Sequence, residues 1–259
     1  MLCVVGEVRG VTQLHDVVYI VCNRSSTILR FNATTHQRLT DIDVKDLRRP
    51  CDIVACEQTS QLYVADWQVC VWGVSADGAD IKRWWSKSSS DTFEPETLSV
   101  TSTRLLVTSY RTNQLLQLDA GGDELRRVQL SDDMDPQHAV ESPTGTFIIS
   151  HYNTQLKQWK VSEVNTDGKV LRQFTGSRLS LGFTPHVAID SHGNIFLADY
   201  HNRHILLLDA QLTPRRVIVD QHQLNYKSPW RLCYREPTGQ LLVGLYQQKS
   251  VLVFDVLRR

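Results

Sequence analysis

The chain lacks an excess of charge of either sign: 28 lysines and arginines stand against 28 aspartates and glutamates in 259 residues. A generally cationic nucleic-acid binder is therefore not indicated, although a neutral total leaves room for a basic face. Long apolar runs are lacking too. Residues 1–5 are too short for a signal-peptide core, and nothing approaches the roughly 20 apolar residues of a membrane span, so the expectation is a soluble, cytoplasmic protein without a membrane partner. The six cysteines (Cys3, Cys22, Cys51, Cys56, Cys70, Cys233) show no CxxC spacing, which removes the paired thiolates of a zinc or redox motif. Several sit inside apolar runs where a small hydrophobe belongs, as in a reducing compartment. No GxSxG elbow, HExxH pair or phosphate-cradling glycine loop occurs, and each absence excludes one common chemistry.

What the sequence does contain is repetition. Residues 18–32 read VYIVCNRSSTILRFN, 105–119 LLVTSYRTNQLLQLD, 147–161 FIISHYNTQLKQWKV, 195–209 IFLADYHNRHILLLD and 241–255 LLVGLYQQKSVLVFD, with 62–72, LYVADWQVCVW, as a shortened copy. The starts are 44, 43, 42, 48 and 46 residues apart, a period that marks propeller blades. In the fifth copy, residues 185–190 form an apolar strand A and Ser191-His192-Gly193-Asn194 a turn. Residues 195–198 form strand B, 199–204 a polar loop, 205–208 strand C and 216–219 strand D. Strand A is entered from Pro50, Pro95, Pro136, Pro185 and Pro229, with Gly10 in that place in the first copy.

The fold expected is all-β: a six-bladed β-propeller of four-stranded antiparallel blades, one domain over 1–259, with repeats beginning near 10, 50, 95, 136, 185 and 229. A lone four-stranded sheet leaves two apolar faces and two edges uncovered, whereas radial repetition covers the faces. The last copy stops too early for a fourth strand and residues 2–5 belong to no blade, so the N-terminal strand is expected to close the last blade.

Residues 183–209, FTPHVAIDSHGNIFLADYHNRHILLLD, resemble the NHL repeat through Asp190, Gly193, Asn194, Ala198, Asp199, Asn202, Ile205 and Asp209. The second copy keeps Pro50, Ala65-Asp66 and Asp77-Gly78; the other four fit by register only. The chain looks most like the C-terminal propeller of tripartite-motif NHL proteins. That resemblance implies protein binding or RNA binding, and places any ubiquitin-ligase activity in domains other than this one, since neither a RING nor a B-box is here.

Loops joining D to A and B to C share one rim. They carry the candidate ligand-binding residues Arg49, Asp52, Trp67, Tyr110, Arg111, His138, Tyr152, His186, Tyr200, Trp230, Arg231, Tyr246 and Lys249. Trp, Tyr and Arg are the residues enriched at binding hot spots, and aromatics beside cations also stack bases. Five of six blades place Trp or Tyr at one equivalent position, with Asn23 in the sixth. Such a repeated aromatic can equally cap the core between blades. Trp84-Trp85 can form a contact loop or pack on the adjacent blade. His138 and His186 occupy equivalent points of adjacent A strands, where approximate equivalents are Thr12, Asp52, Thr97 and Arg231. A catalytic zinc needs three protein ligands, and an arginine in the ring opposes a cation. The expectation is a non-catalytic, monomeric recognition module without metal or cofactor that binds a protein segment. The alternatives are single-stranded or stem-loop RNA, and a metal-dependent propeller lyase or hydrolase.

Overall fold

The computed structural model of the chain describes residues 1–67, 69–101, 104–174 and 186–256. Six four-stranded antiparallel sheets form six blades. Blade 1 is Val8–Leu14, Val17–Cys22, Thr27–Asn32 and Ile42–Asp43, and blade 2 is Pro50–Cys56, Gln61–Asp66, Cys70–Ser75 and Ile81–Ser86. Blade 3 is Thr97–Thr101, Arg104–Ser109, Gln114–Leu118 and Glu124–Gln129, and blade 4 is Met134–Glu141, Phe147–Asn153, Gln158–Val164 and Val170–Gln173. Blade 5 is Val187–Ile189, Ile195–Asp199, His204–Leu208 and Pro214–Val219. Blade 6 is Pro229–Arg235, Gln240–Leu245 and Ser250–Asp255, and its fourth strand is Leu2–Cys3, paired as Leu2 with Val251 and Cys3 with Ser250. The chain start thus closes the ring. Each A strand contacts the A strands of its two neighbours, and blade 6 returns to blade 1 in the same way.

Each interface between blades holds its own apolar cluster. Leu14, Tyr19, Ile53 and Val64 lie between blades 1 and 2, Val71, Phe93 and Val107 between 2 and 3, and Leu115, Met134 and Ile149 between 3 and 4. Ile148, Phe174 and Leu197 fill the next, Phe196, Leu232 and Val243 the fifth, and Leu2, Val8, Ile20 and Val251 the sixth. Strands covered on both faces read as apolar runs, and the B strands, such as Val17–Cys22 and Gln240–Leu245, read that way.

The residues that carry the NHL resemblance build turns. Asp190 accepts the N–H groups of His192 (3.0 Å) and Asn194 (2.8 Å) around Gly193, whose φ is +83°. Asp199 accepts both the backbone and the side-chain N–H of Asn202, and Asp209 accepts the N–H groups of Gln211 and Thr213. Trp84 and Trp85 pack on the next blade. Trp84 donates its indole N–H to the carbonyl of Ala120 at 3.3 Å, and Trp85 meets Phe93 edge-on at 5.8 Å.

Two sequence expectations need correction. In blades 1, 2, 4 and 6 the A–B register slips by one residue just after the strand begins, between Val8 and Gly10, Pro50 and Asp52, Pro136 and His138, and Pro229 and Arg231. Val8 therefore fills the proline position of blade 1, and Gly10, not Thr12, is the equivalent of Asp52 and His138. A β-bulge adds one residue to one strand of a pair and leaves no mark in a hydrophobic pattern. Pro185 lies outside the described residues.

Candidate functional site

With the bulges in blades 1, 2, 4 and 6, six residues stand opposite the same position of strand B in their blades: Gly10, Asp52, Thr97, His138, His186 and Arg231, of which His186 directly precedes its strand. Asp52, His138, His186 and Arg231 were expected on the loop face but lie inside the channel, only 2%, 3%, 5% and 8% exposed. They join the blades in turn. Asp52 accepts the N–H of Leu98 in blade 3 at 3.0 Å while holding its own neighbour Ile53, also at 3.0 Å. Thr97 donates its hydroxyl to the carbonyl of Gln137 in blade 4 at 2.8 Å. His138 donates from Nε2 back to the Leu98 carbonyl at 3.1 Å and accepts the N–H of Val187 in blade 5 at Nδ1, 3.4 Å away. His186 accepts the N–H of Leu232 in blade 6 at 3.3 Å. Arg231 donates to the carbonyls of Arg9 (2.8 Å) and Cys51 (3.3 Å) in blades 1 and 2. Gly10 closes the circuit because blade 1 comes so near blade 2 that a Cβ there would sit 2.6 Å from the nitrogen of Ile53. The residues at which the repeats differ most are thus stitches between blades.

The protonation states follow from the partners. His138 needs its proton on Nε2 to serve a carbonyl, and burial holds its pKa down to about 3. Burial holds His186 well below its ordinary value, and its ring stacks on His138 with centroids 3.6 Å apart. Burial pushes Asp52 up to about 6 while Arg231 and two amide N–H groups pull it down, so it is anionic at neutral pH beside the guanidinium 3.8 Å away.

Asp52, His138 and His186 bring one ligand atom each within 4.8 Å of one another, the only such three-residue cluster among the described residues. They do not fit a cation. Both nitrogens of His138 and both oxygens of Asp52 already hold hydrogen bonds, and Arg231 supplies the positive charge that Asp52 requires. A metal would have to break those bonds and displace an arginine.

The ring separates two cavities. Towards the turns lies one of about 160 Å³, flanked by Val54, Val100 and Ala188. On the loop face opens a mouth of about 370 Å³, within the range of ligand sites. Arg49, Trp67, Tyr110 and Trp230 line it, with His138, His186 and Arg231 at its floor. Arg49 lies over the Trp67 ring at 3.9 Å, and the Trp67 indole donates to Glu96 at 3.1 Å. Glu96 also accepts the N–H of Tyr110 at 3.2 Å. Burial, helped by Glu94 and Asp135, pushes Glu96 up to about 7 against the pull of those two donors. The Cys51 thiol at the rim is pushed well above its usual value by burial, so it is not a ready nucleophile.

The remaining candidates lie elsewhere. Tyr200 and Tyr246 pack with Trp230 in a three-ring cluster, with centroids 4.8 to 6.4 Å apart. Tyr152 lies within strand B of blade 4 and packs on Trp159 at 5.1 Å. Arg111 pairs with Glu94 at 3.5 Å in a separate shallow depression, and exposed Lys249 sits where its carbonyl accepts the N–H of Val4. The repeated aromatic position therefore serves different ends in different blades. Residues that the sequence reading did not select also line the mouth: Arg9, Cys51, Glu96 and Gln137. Their common signal is position, each one residue before a ring residue.

Comparison with known proteins identifies the fold alone. No family model matches the chain, and no curated protein does. Among solved structures, a protein of unknown function from Bacteroides caccae is 13% identical with a TM-score of 0.70, covering 92% of this chain and 89% of its own. Hydrazine synthase from Kuenenia stuttgartiensis is 14% identical with a TM-score of 0.69, covering 95% and 83%. A catalytically inactive virginiamycin B lyase from Staphylococcus aureus with quinupristin is 12% identical with a TM-score of 0.68, covering 94% and 78%. Such diverse neighbours establish a six-bladed propeller and leave its use to the site.

Proposed function

We propose that this chain is a non-catalytic recognition module that takes a protein segment into the loop-face mouth of its channel. The observation that carries the reading is the preassembled lining. Trp67 is fixed by Arg49 above it and Glu96 at its indole nitrogen, and Trp230 by Tyr246 and Tyr200. Rigid Trp, Tyr and Arg side chains around a concave pocket are the usual anchors of protein recognition. The resemblance of blade 5 to NHL repeats agrees with such a role, although its motif residues serve the turns.

RNA binding to this face is favoured less, because among the described residues the cations form no continuous track. Arg231 is buried and committed to two carbonyls, Arg111 is paired with Glu94, and Lys249 lies off the mouth. Catalysis has little to work with, since the channel histidines are neutral and hold the blades together.

A random peptide display selection on the immobilised protein tests the reading. Enriched peptides should lose at least tenfold in affinity on Trp67→Ala and depend weakly on salt. Failure to enrich any peptide, or equal binding by the variant, would overturn it. A short single-stranded RNA probe that binds with a steep salt dependence would put RNA in its place.

A further inference from the structure

The donors and acceptors around the mouth are unbalanced. Among the described residues its charged lining comprises the guanidinium groups of Arg9, Arg49 and Arg231 and one carboxylate, Glu96. Both oxygens of Glu96 are occupied, one by the Trp67 indole and one by the Tyr110 N–H. Beneath it, His186 is 5% exposed and its Nδ1 accepts the Leu232 N–H, so the proton of the neutral ring lies on Nε2. That Nε2 has no hydrogen-bond partner, and the His186 ring lines the cavities on both sides of the ring of stitches. A buried N–H without an acceptor costs free energy that a ligand oxygen would recover. Among the described residues the cleft thus offers a neutral N–H donor at its floor, the guanidinium groups of Arg49 and Arg9 at its opening, and no uncommitted acceptor among its charged side chains, Arg231 being committed to Asp52 and two carbonyls.

We propose that the anchor read by this mouth is a carboxylate, carried by a peptide segment as an acidic side chain or as a free C-terminus. The inference rests on the recognition reading above and names the chemistry of its ligand. Arg49 is positioned to meet the carboxylate at the rim, where guanidinium and carboxylate match in planar geometry. His186 supplies a donor below, and Trp67 and Trp230 provide apolar walls for the methylenes that carry the acid. Arg9 is only loosely engaged, 3.4 Å from Glu7, and adds positive potential at the opening.

The test uses two random peptide libraries, one displaying free C-termini and one internal and amidated, selected on the full chain. Enriched sequences should carry Asp or Glu at a fixed position in the amidated library, or require the free C-terminus in the other; which library succeeds identifies the source of the carboxylate. Exchange of that acid for its amide should weaken binding at least tenfold. Arg49→Ala should do the same while Arg49→Lys retains part of the affinity. His186→Leu, which removes the Nε2 donor, should weaken binding of the acid-bearing peptide more than binding of its amide, with circular dichroism checking that the variant is folded. Enriched peptides that bind through Trp67 yet contain no carboxylate, or tolerate its amidation, would overturn this inference and leave recognition standing. Absence of any Trp67-dependent peptide would overturn both.

Discussion

At the scale of single residues, His138 shows how a group that reads as functional becomes structural. Histidines at equivalent points of adjacent strands suggest a metal pair, but His138 engages a carbonyl of blade 3 and an amide of blade 5. Its pKa is depressed to about 3 from an ordinary 6.5. The unfolded chain therefore binds a proton at this site that the folded chain does not, throughout that window. The stability the neutral ring provides is complete above pH 6.5 and is lost as pH falls towards 3. His186 and His151 act in the same direction, while Asp52 and Glu96, both raised, act in the opposite one. A variant isolates the His138 contribution. His138→Gln can give one N–H and accept another without titrating, so it should gain on the parent protein by about 1.4 kcal/mol per pH unit below 6.5, or roughly 2 kcal/mol at pH 5. Urea midpoints at pH 7.5 and pH 5 measure this, and an equal gap at both values would refute the assignment. Asp52→Ala should be far more damaging, by about 3–5 kcal/mol, since it leaves Arg231 buried without its counter-charge and the Leu98 N–H without an acceptor.

At the scale of elements, strands and turns were legible because their causes are local. Apolar runs of five or six residues separated by glycine turns fix strands B and C, and Gly193 falls where positive φ is needed. The bulge was not legible. It depends on which ladder bonds the chain gives up, and Arg9, Cys51, Gln137 and Trp230 at the bulged positions share no chemistry. That is why the sequence pattern points to Thr12 as the ring residue instead of Gly10. The girdle of aromatics was half legible: sequence locates Tyr152 and Tyr110 at one register, but only packing turns Tyr152 against Trp159 and leaves Tyr110 at the mouth.

The outer strands show another device that composition hides. Lys82 and Arg83, Arg126 and Arg127, and Arg215 and Arg216 interrupt the D strands, each of which has a free edge. Charges on an edge strand oppose pairing with another molecule. Replacement of Arg215 and Arg216 by valine, next to exposed Val217, should change the melting temperature little but speed aggregation markedly in light-scattering assays. Unaltered scattering would show that these arginines do not guard the edge.

At the scale of the whole molecule, stability is a property of closure, because among the described residues each of the six interfaces has a core and no blade has one of its own. The interface between blades 6 and 1 is sealed twice. Near the axis Arg231 holds the carbonyl of Arg9, and further out Leu2 and Val4 are buried while the Val4 N–H bonds the carbonyl of Lys249 at 2.9 Å. Removal of residues 1–6 opens the second seal, uncovers Val251 and leaves Ser250–Asp255 as an unpaired edge. Truncating a buried leucine alone costs about 2–5 kcal/mol, and each kcal/mol is worth about 2–4 °C in a domain of this size. The deletion should therefore lower the melting temperature by about 10 °C or more by differential scanning calorimetry, and further than Leu2→Ala does. The stitches lie nearer the axis than the deleted strand and hold the mouth together, so peptide binding well below the new melting temperature should be retained. A deletion variant that melts like the parent would refute closure by the N-terminal strand. One that melts lower and also loses binding would show that the outer seam, as well as the polar ring, shapes the mouth.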